Sequence, residues 1–110
     1  MNRLGHEEIL YRRGNYLVRR LRLKAGEATP WHRDPYHRVT VVLSGDVLAI
    51  EFRDGGETAH WTINPGEVDW VEPSDRVHRA VNTGTETFEE VTTFFLDRPD
   101  ALHQPEAEAR

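Results

Sequence analysis

The sequence predicts an all-β domain, a sandwich or an antiparallel barrel, on three observations. Apolar residues recur with a period near two along most of the chain. Turn-forming residues break that rhythm about every eight to twelve positions. Only the first dozen residues leave room for a helical turn, and no later stretch carries helical spacing.

The elements follow in order. Asn15–Lys24 (NYLVRRLRLK) reads as a strand closed by Ala25-Gly26, and Val39–Leu43 as an apolar strand closed by Ser44-Gly45. Val47–Phe52 leads through Arg53-Asp54-Gly55-Gly56 into Glu57–Ile63; Asp-Gly or Gly-Gly between alternating runs is a strong hairpin signal. After the turn Asn64-Pro65-Gly66 comes a short strand, Val68–Val71, and then a turn over Glu72–Asp75. Arg76–Asn82 and Phe88–Leu96 read as a final pair joined through Thr83-Gly84-Thr85. The organisation is therefore an N-terminal segment (1–14), a β domain (15–96) and a polar C-terminal tail (97–110) with two prolines and no β periodicity.

At 110 residues the chain holds one core, large enough to fold without covalent staples. The absence of cysteine excludes disulfides, iron–sulfur clusters and zinc–thiolate sites. The opening MNRLGHEEIL has no apolar signal-peptide core, and no stretch reaches the roughly 18–20 apolar residues of a membrane span, so a cytoplasmic location is expected. Fourteen basic against nineteen acidic residues give a net charge of −5, the wrong sign for a dedicated nucleic-acid binder. The run Arg19-Arg20-Leu21-Arg22 alternates faces within a strand and reads as a solvated edge rather than a basic patch.

Three of the six histidines fall in two turn-bounded segments. The first runs from Gly26 through Trp31, His32, Asp34, Tyr36, His37 and Arg38 to Gly45; the second runs from Gly66 through Trp70, Pro73 and His78 to Asn82. These segments resemble the two motifs of the cupin superfamily. In the first motif Gly26, His32 and Gly45 fall in place, while Asp34 stands for the second histidine and Arg38 for the glutamate. In the second, Gly66, Pro73, His78 and Asn82 match, the first gap is one residue longer, and Asp75 replaces a glycine. The resemblance covers residues 15–96 and implies a single antiparallel, jelly-roll-type cupin β-barrel; Trp31–Tyr36 and Thr87–Val91 also resemble small stand-alone cupins related to a β-alanine-degradation protein.

The resemblance implies that His32, Asp34 and His78 face the interior and hold one divalent ion. Residues two apart on a strand share a face, so His32 and Asp34 can converge, with His78 expected from a strand across the barrel. Two imidazoles and one carboxylate suit Fe(II) and leave positions open; nickel, manganese or zinc are alternatives. The pattern is shared with 2-oxoglutarate oxygenases, but Phe88 stands where those carry a cosubstrate-binding arginine. Against the metal stands Arg38, a permanent cation that can pair with Asp34 and leave the pocket metal-free, or instead grip an anionic substrate.

Two function classes follow: a metal-dependent enzyme, a dioxygenase on a small organic acid with Arg38 as the catalytic-site cation orienting it, or a metal-free ligand-binding protein built on the Asp34–Arg38 pair. An isomerase using His78 or His32 as a base is a weaker third. Trp31, Tyr36, His37 and Trp70 are the expected substrate-pocket residues, His37 otherwise lying at the surface. Asn82 is expected to cap a turn, and His6, His60 and His103 to be solvated. The partners expected are a small-molecule ligand and, by resemblance, a second copy of the chain, docked through the arginine-bearing strand and Val91–Leu96.

Overall fold

The computed structural model describes residues 2–96, which form nine β-strands and no helix. The strands are β1 (His6–Arg13), β2 (Tyr16–Leu23), β3 (His32–Asp34), β4 (Arg38–Ser44), β5 (Val47–Phe52), β6 (Ala59–Thr62), β7 (Val68–Val71), β8 (Ser74–Val81) and β9 (Phe88–Phe95). They form two antiparallel sheets, one of order β1-β2-β9-β4-β7 and one of order β3-β8-β5-β6. The all-β expectation and the β5–β6 hairpin across Asp54-Gly55-Gly56 hold. Among the described residues no helix is long and apolar enough to cross a membrane. The tail from 97 and His103 lie outside the described residues.

Three expectations need correction. Residues 6–13 are a strand, not a helical turn: β1 pairs with β2 from His6↔Arg22 to Arg13↔Tyr16 around Gly14, whose φ is 55°. Every residue of β1 is exposed, so neither face selects apolar side chains and no period of two appears. The arginine-bearing strand β2 is not an edge, because β1 covers one side and β9 the other; the edge is β1 itself. Nor do β8 and β9 pair. β8 lies between β3 and β5 in one sheet, and β9 between β2 and β4 in the other, so segment 82–87 crosses the sandwich.

Asn82 holds that crossing. Fully buried, its Nδ2 donates to Leu23 O (2.9 Å) and Glu86 O (2.8 Å), and its Oδ1 accepts from Gly84 N (2.9 Å). The side chain satisfies three backbone groups that would otherwise be stranded beneath the crossover.

Inward-facing residues alternate along the large sheet: Arg19, Leu21 and Leu23 on β2, Phe88, Glu90, Thr92 and Phe94 on β9, Arg38, Thr40 and Val42 on β4. Leu21, Leu23, Val42, Leu48 and Phe88 form the main core cluster, with Ile50, Ile63 and Ala80 packed against it. Burying each large side chain there contributes about 1.5–3 kcal/mol. Gly45 closes the β4–β5 turn at φ 130°, and a Cβ there would meet Phe88 Cδ1 at 3.1 Å and Ile63 Cγ2 at 3.3 Å. Gly45→Ala is therefore expected to destabilise the protein by about 1–3 kcal/mol in urea unfolding. Wild-type stability for this variant would show that the turn relaxes freely.

Candidate metal centre

Between the sheets lies a cavity of about 630 Å³, whose floor is the apolar core side chains Leu21, Val42, Leu48 and Phe88. His32, Asp34, Arg38 and His78 all line it. Strand β3 places His32 and Asp34 on its inner side with Arg33 outward. His78 comes from β8, which is the neighbour of β3 and not a strand across the barrel: His32 and His78 are direct cross-strand partners. Their rings sit 4.5 Å apart between centroids.

The donor atoms converge. His78 Nε2 lies 2.9 Å and His32 Nε2 3.2 Å from the same oxygen, Asp34 Oδ2. One ligand atom from each of the three residues fits within 4.8 Å of the others. The far side of each ring is fixed: His32 Nδ1 is 2.7 Å from Pro30 O and His78 Nδ1 is 2.8 Å from Arg76 O. A carbonyl only accepts, so each Nδ1 carries the hydrogen, and in a neutral ring Nε2 is left with its lone pair. Two lone pairs and a carboxylate oxygen then point at one another, an arrangement that only a cation between them stabilises. A proton can fill that role, and so can a metal ion; backbone-anchored Nδ1 atoms are the usual support of metal-ligating imidazoles. The residues present therefore fit a two-histidine, one-carboxylate site.

Arg38 completes the cluster. Its Nη2 is 3.6 Å from Asp34 Oδ2, while Nη1 is buried and has no hydrogen-bond partner among the described residues. Burial alone would raise the Asp34 pKa, but the His32 and His78 contacts and the Arg38 charge outweigh it and hold the carboxyl far below its ordinary value. For His32, burial works against the charged ring; contact with Asp34, its charge and Pro30 O overcome this and raise the pKa above 6.5. Burial lowers the Arg38 pKa, partly offset by Asp34 and Glu90, and Arg19 adds repulsion.

Of the other expected pocket residues, the structure places only Trp70 on the cavity wall, more than half exposed, as is Trp61, which also lines it. Trp31 sits away from the cavity, its ring 4.6 Å from the Arg79 guanidinium and 5.3 Å from that of Arg53. Tyr36 is half-buried and does not line the cavity. His37 is half-buried and does not line the cavity: its ring lies tilted against that of Trp70, centroids 5.4 Å apart, with Nδ1 3.4 Å from Glu72. Two largely buried charged residues of the cavity escaped the sequence reading. Arg19 and Glu90, with side chains 14 % and 15 % exposed, form an ion pair at 2.9 Å inside the cavity. Burial raises the Glu90 pKa despite the Arg19 charge. Their positions in the alternation with Leu21 and with Phe88 and Thr92 were the available signal.

The sequence model of the cupin domain matches residues 19–94. Among solved structures, a cupin domain from Bordetella pertussis Tohama I superposes with a TM-score of 0.75 at 19 % identity, covering 86 % of this chain and 95 % of that one. A conserved protein with a double-stranded β-helix domain from Klebsiella pneumoniae gives 0.66 at 21 % identity, with coverages of 91 % and 84 %. An RmlC-like cupin family protein from Methanocaldococcus jannaschii gives 0.67 at 17 % identity, with coverages of 91 % and 86 %. No curated protein matches the sequence. With its two facing antiparallel sheets and a family match across most of its length, this chain belongs to the cupin domain family.

Proposed function

We propose that this cupin is a metal-dependent enzyme, a dioxygenase acting on a small organic acid, with the ion held by His32, Asp34 and His78. The observation that carries the reading is the aim of both Nε2 atoms at one Asp34 oxygen, each ring anchored through Nδ1 to a backbone carbonyl. Fe(II) is the ion favoured by this ligand set, with nickel, manganese or zinc as alternatives. When bound, such an ion supplies Lewis acidity and open positions where O₂ and substrate meet. The chain's own residues do the rest. Leu21, Val42, Leu48 and Phe88 keep the interior apolar and exclude water, and Arg38, which lines the cavity 3.6 Å from Asp34, orients an acidic substrate.

The test is elemental analysis of untagged protein purified without chelators, followed by O₂ consumption with candidate acids. A stoichiometric ion and acid-dependent uptake support the proposal. Protein that stays metal-free after anaerobic incubation with Fe(II) overturns it. That outcome favours the second reading, a metal-free ligand-binding cupin, for which the Asp34–Arg38 contact at 3.6 Å is the supporting observation.

We also propose a homodimer, with β1 as the contact. This edge strand leaves its backbone hydrogen-bonding groups open on one side, and Ile9 and Tyr11 are more than half exposed. Light scattering at micromolar concentration is expected to give twice the chain mass, and a monomeric mass overturns the dimer.

A further inference from the structure

Glu90 is a largely buried carboxylate that the proposed metal centre leaves unused. On β9 it pairs with Leu21 of β2 on one side and Val42 of β4 on the other, and Phe88 precedes it on the same face. Three side chains of the apolar core therefore frame it. Two donors hold it there. Arg19 Nη2 donates to Oε2 at 2.9 Å, and Thr92 Oγ1 donates to the same oxygen at 3.1 Å. Thr92 has a single hydroxyl hydrogen, so Thr40 donates to Thr92 across their 2.9 Å contact.

Both hydrogen bonds fall on Oε2. Oε1 has no partner among the described residues, yet unlike Arg19 Nε and Arg38 Nη1 it is not sealed off, and Glu90 lines the cavity. A carboxylate whose sole task is to neutralise Arg19 gains most from a bidentate pair that uses both oxygens. Here one oxygen is spent on orientation, and the other keeps its lone pairs for the cavity. A positioned carboxylate with a free oxygen is the arrangement of a general base. Burial among apolar neighbours pushes the Glu90 pKa up despite the Arg19 charge, which strengthens it in that role. Arg19 and, beyond it, Glu7 face this carboxylate from β2 and β1, and the Arg38 charge acts on it from β4. His32, Asp34 and His78 belong to the other sheet and make no hydrogen bond or ion pair with it.

We propose that Glu90 is a general base acting through Oε1 on a 2-oxo acid in the cavity, removing a proton from the carbon beside the carbonyl. The C–H bond breaks and an O–H bond forms at Oε1. The C–H electron pair enters a new carbon–carbon double bond, and the carbonyl π pair moves to its oxygen, which gives an enolate. Return of a proton from Oε1 restores the keto acid, so the step needs no oxidant or second substrate. Arg38, which lines the same cavity, supplies positive charge for the anionic ligand. Among small organic acids, those with a carbonyl beside the C–H are acidic enough at carbon for a carboxylate base, and 2-oxo acids are the stable members of that class. The proposal rests on the organic-acid part of the proposed function and needs no ion.

The experiment is proton NMR of deuterium incorporation at C3 of 2-oxobutanoate and 2-oxohexanoate in D₂O with chelator-treated protein, beside metal analysis of the untreated protein. The wild type is expected to accelerate exchange in at least one of the two acids. Glu90→Gln keeps an oxygen for Arg19 and Thr92, and is expected to lower the protein-catalysed rate at least about a hundredfold. Glu90→Asp keeps the charge beside Arg19 but withdraws the oxygen, and is expected to lower the rate about tenfold or more. The wild-type rate is also expected to fall between about pD 6 and about pD 4.5, as Glu90 takes up its proton. Across that range His32, raised above 6.5, stays charged and Asp34 stays ionised, so neither produces the fall. Exchange no faster than in buffer with both acids overturns the proposal, as does a wild-type rate in Glu90→Gln or a rate that is flat with pD. If Glu90→Gln does not fold, Glu90→Asp and the pD profile decide. Protein without an ion would sink the dioxygenase and leave the exchange intact, whereas absent exchange would leave the metal content intact.

Discussion

In His78→Ala, bound metal is expected to fall from about one equivalent per chain to below about a tenth, because two remaining donors do not make the three-ligand face such ions require. The imidazole is 12 % exposed, approaches Asp34 to 2.9 Å, and spends its other nitrogen on Arg76 O. Among the described residues no other histidine joins the cluster: His37 lies against Trp70 and Glu72, and His60 is exposed on β6 outside the cavity. His60→Ala is therefore the control, expected to retain its metal in full. Equal metal content in the wild type and His78→Ala would mean that the ion sits elsewhere and that His78 is no ligand.

Asp34→Asn is expected to give the largest loss of stability in chelator-treated protein, towards the lower end of about 3–5 kcal/mol, since the cluster retains some solvent contact. One carboxylate oxygen serves His32, His78 and Arg38, and the amide removes its charge while keeping its shape. The pH dependence identifies the cause. The Asp34 pKa is lowered on folding from 3.8, so its contribution is whole above about pH 3.8 and is lost as pH falls through the folded value. The His32 pKa is raised on folding from 6.5, so its contribution is whole below about pH 6.5 and is lost as pH rises through its own folded value. The stability gap between wild type and variant is therefore widest between those limits and narrower at about pH 8.5 than at about pH 5.5. Urea unfolding at the two pH values measures it; a gap that does not change, or no gap, would show that the carboxylate carries no such charge interaction.

The centre was legible because its residue types are rare and their spacing is tied to strand geometry: His32 and Asp34 share a face, and His78 sits between recognisable turns. Arg19 and Glu90 were not. A charged residue at an inward position reads in sequence like one at an outward position, and Arg19-Arg20-Leu21-Arg22 offers both parities with the same side chain. Strand β1 was illegible for the opposite reason: with both faces wet, Ile9, Leu10 and Tyr11 need not alternate. The Gly14-Asn15 pair between β1 and β2 was the one local sign of that hairpin. Pairing β8 with β9 followed the rule that successive strands are neighbours, which fails where Asn82 carries the chain from one sheet to the other.

The direct pairing of β3 with β8 also sets when such a centre can exist. Asp34 and His78 are 44 positions apart, and their strands meet only after the strands β4 to β7 and the turns between them have been laid down across both sheets. A nascent chain that has exposed His32 and Asp34 holds one imidazole and one carboxylate on a three-residue strand with no partner to order it. On the proposed metal-dependent reading, loading therefore waits until β8 has been made and has paired with β3.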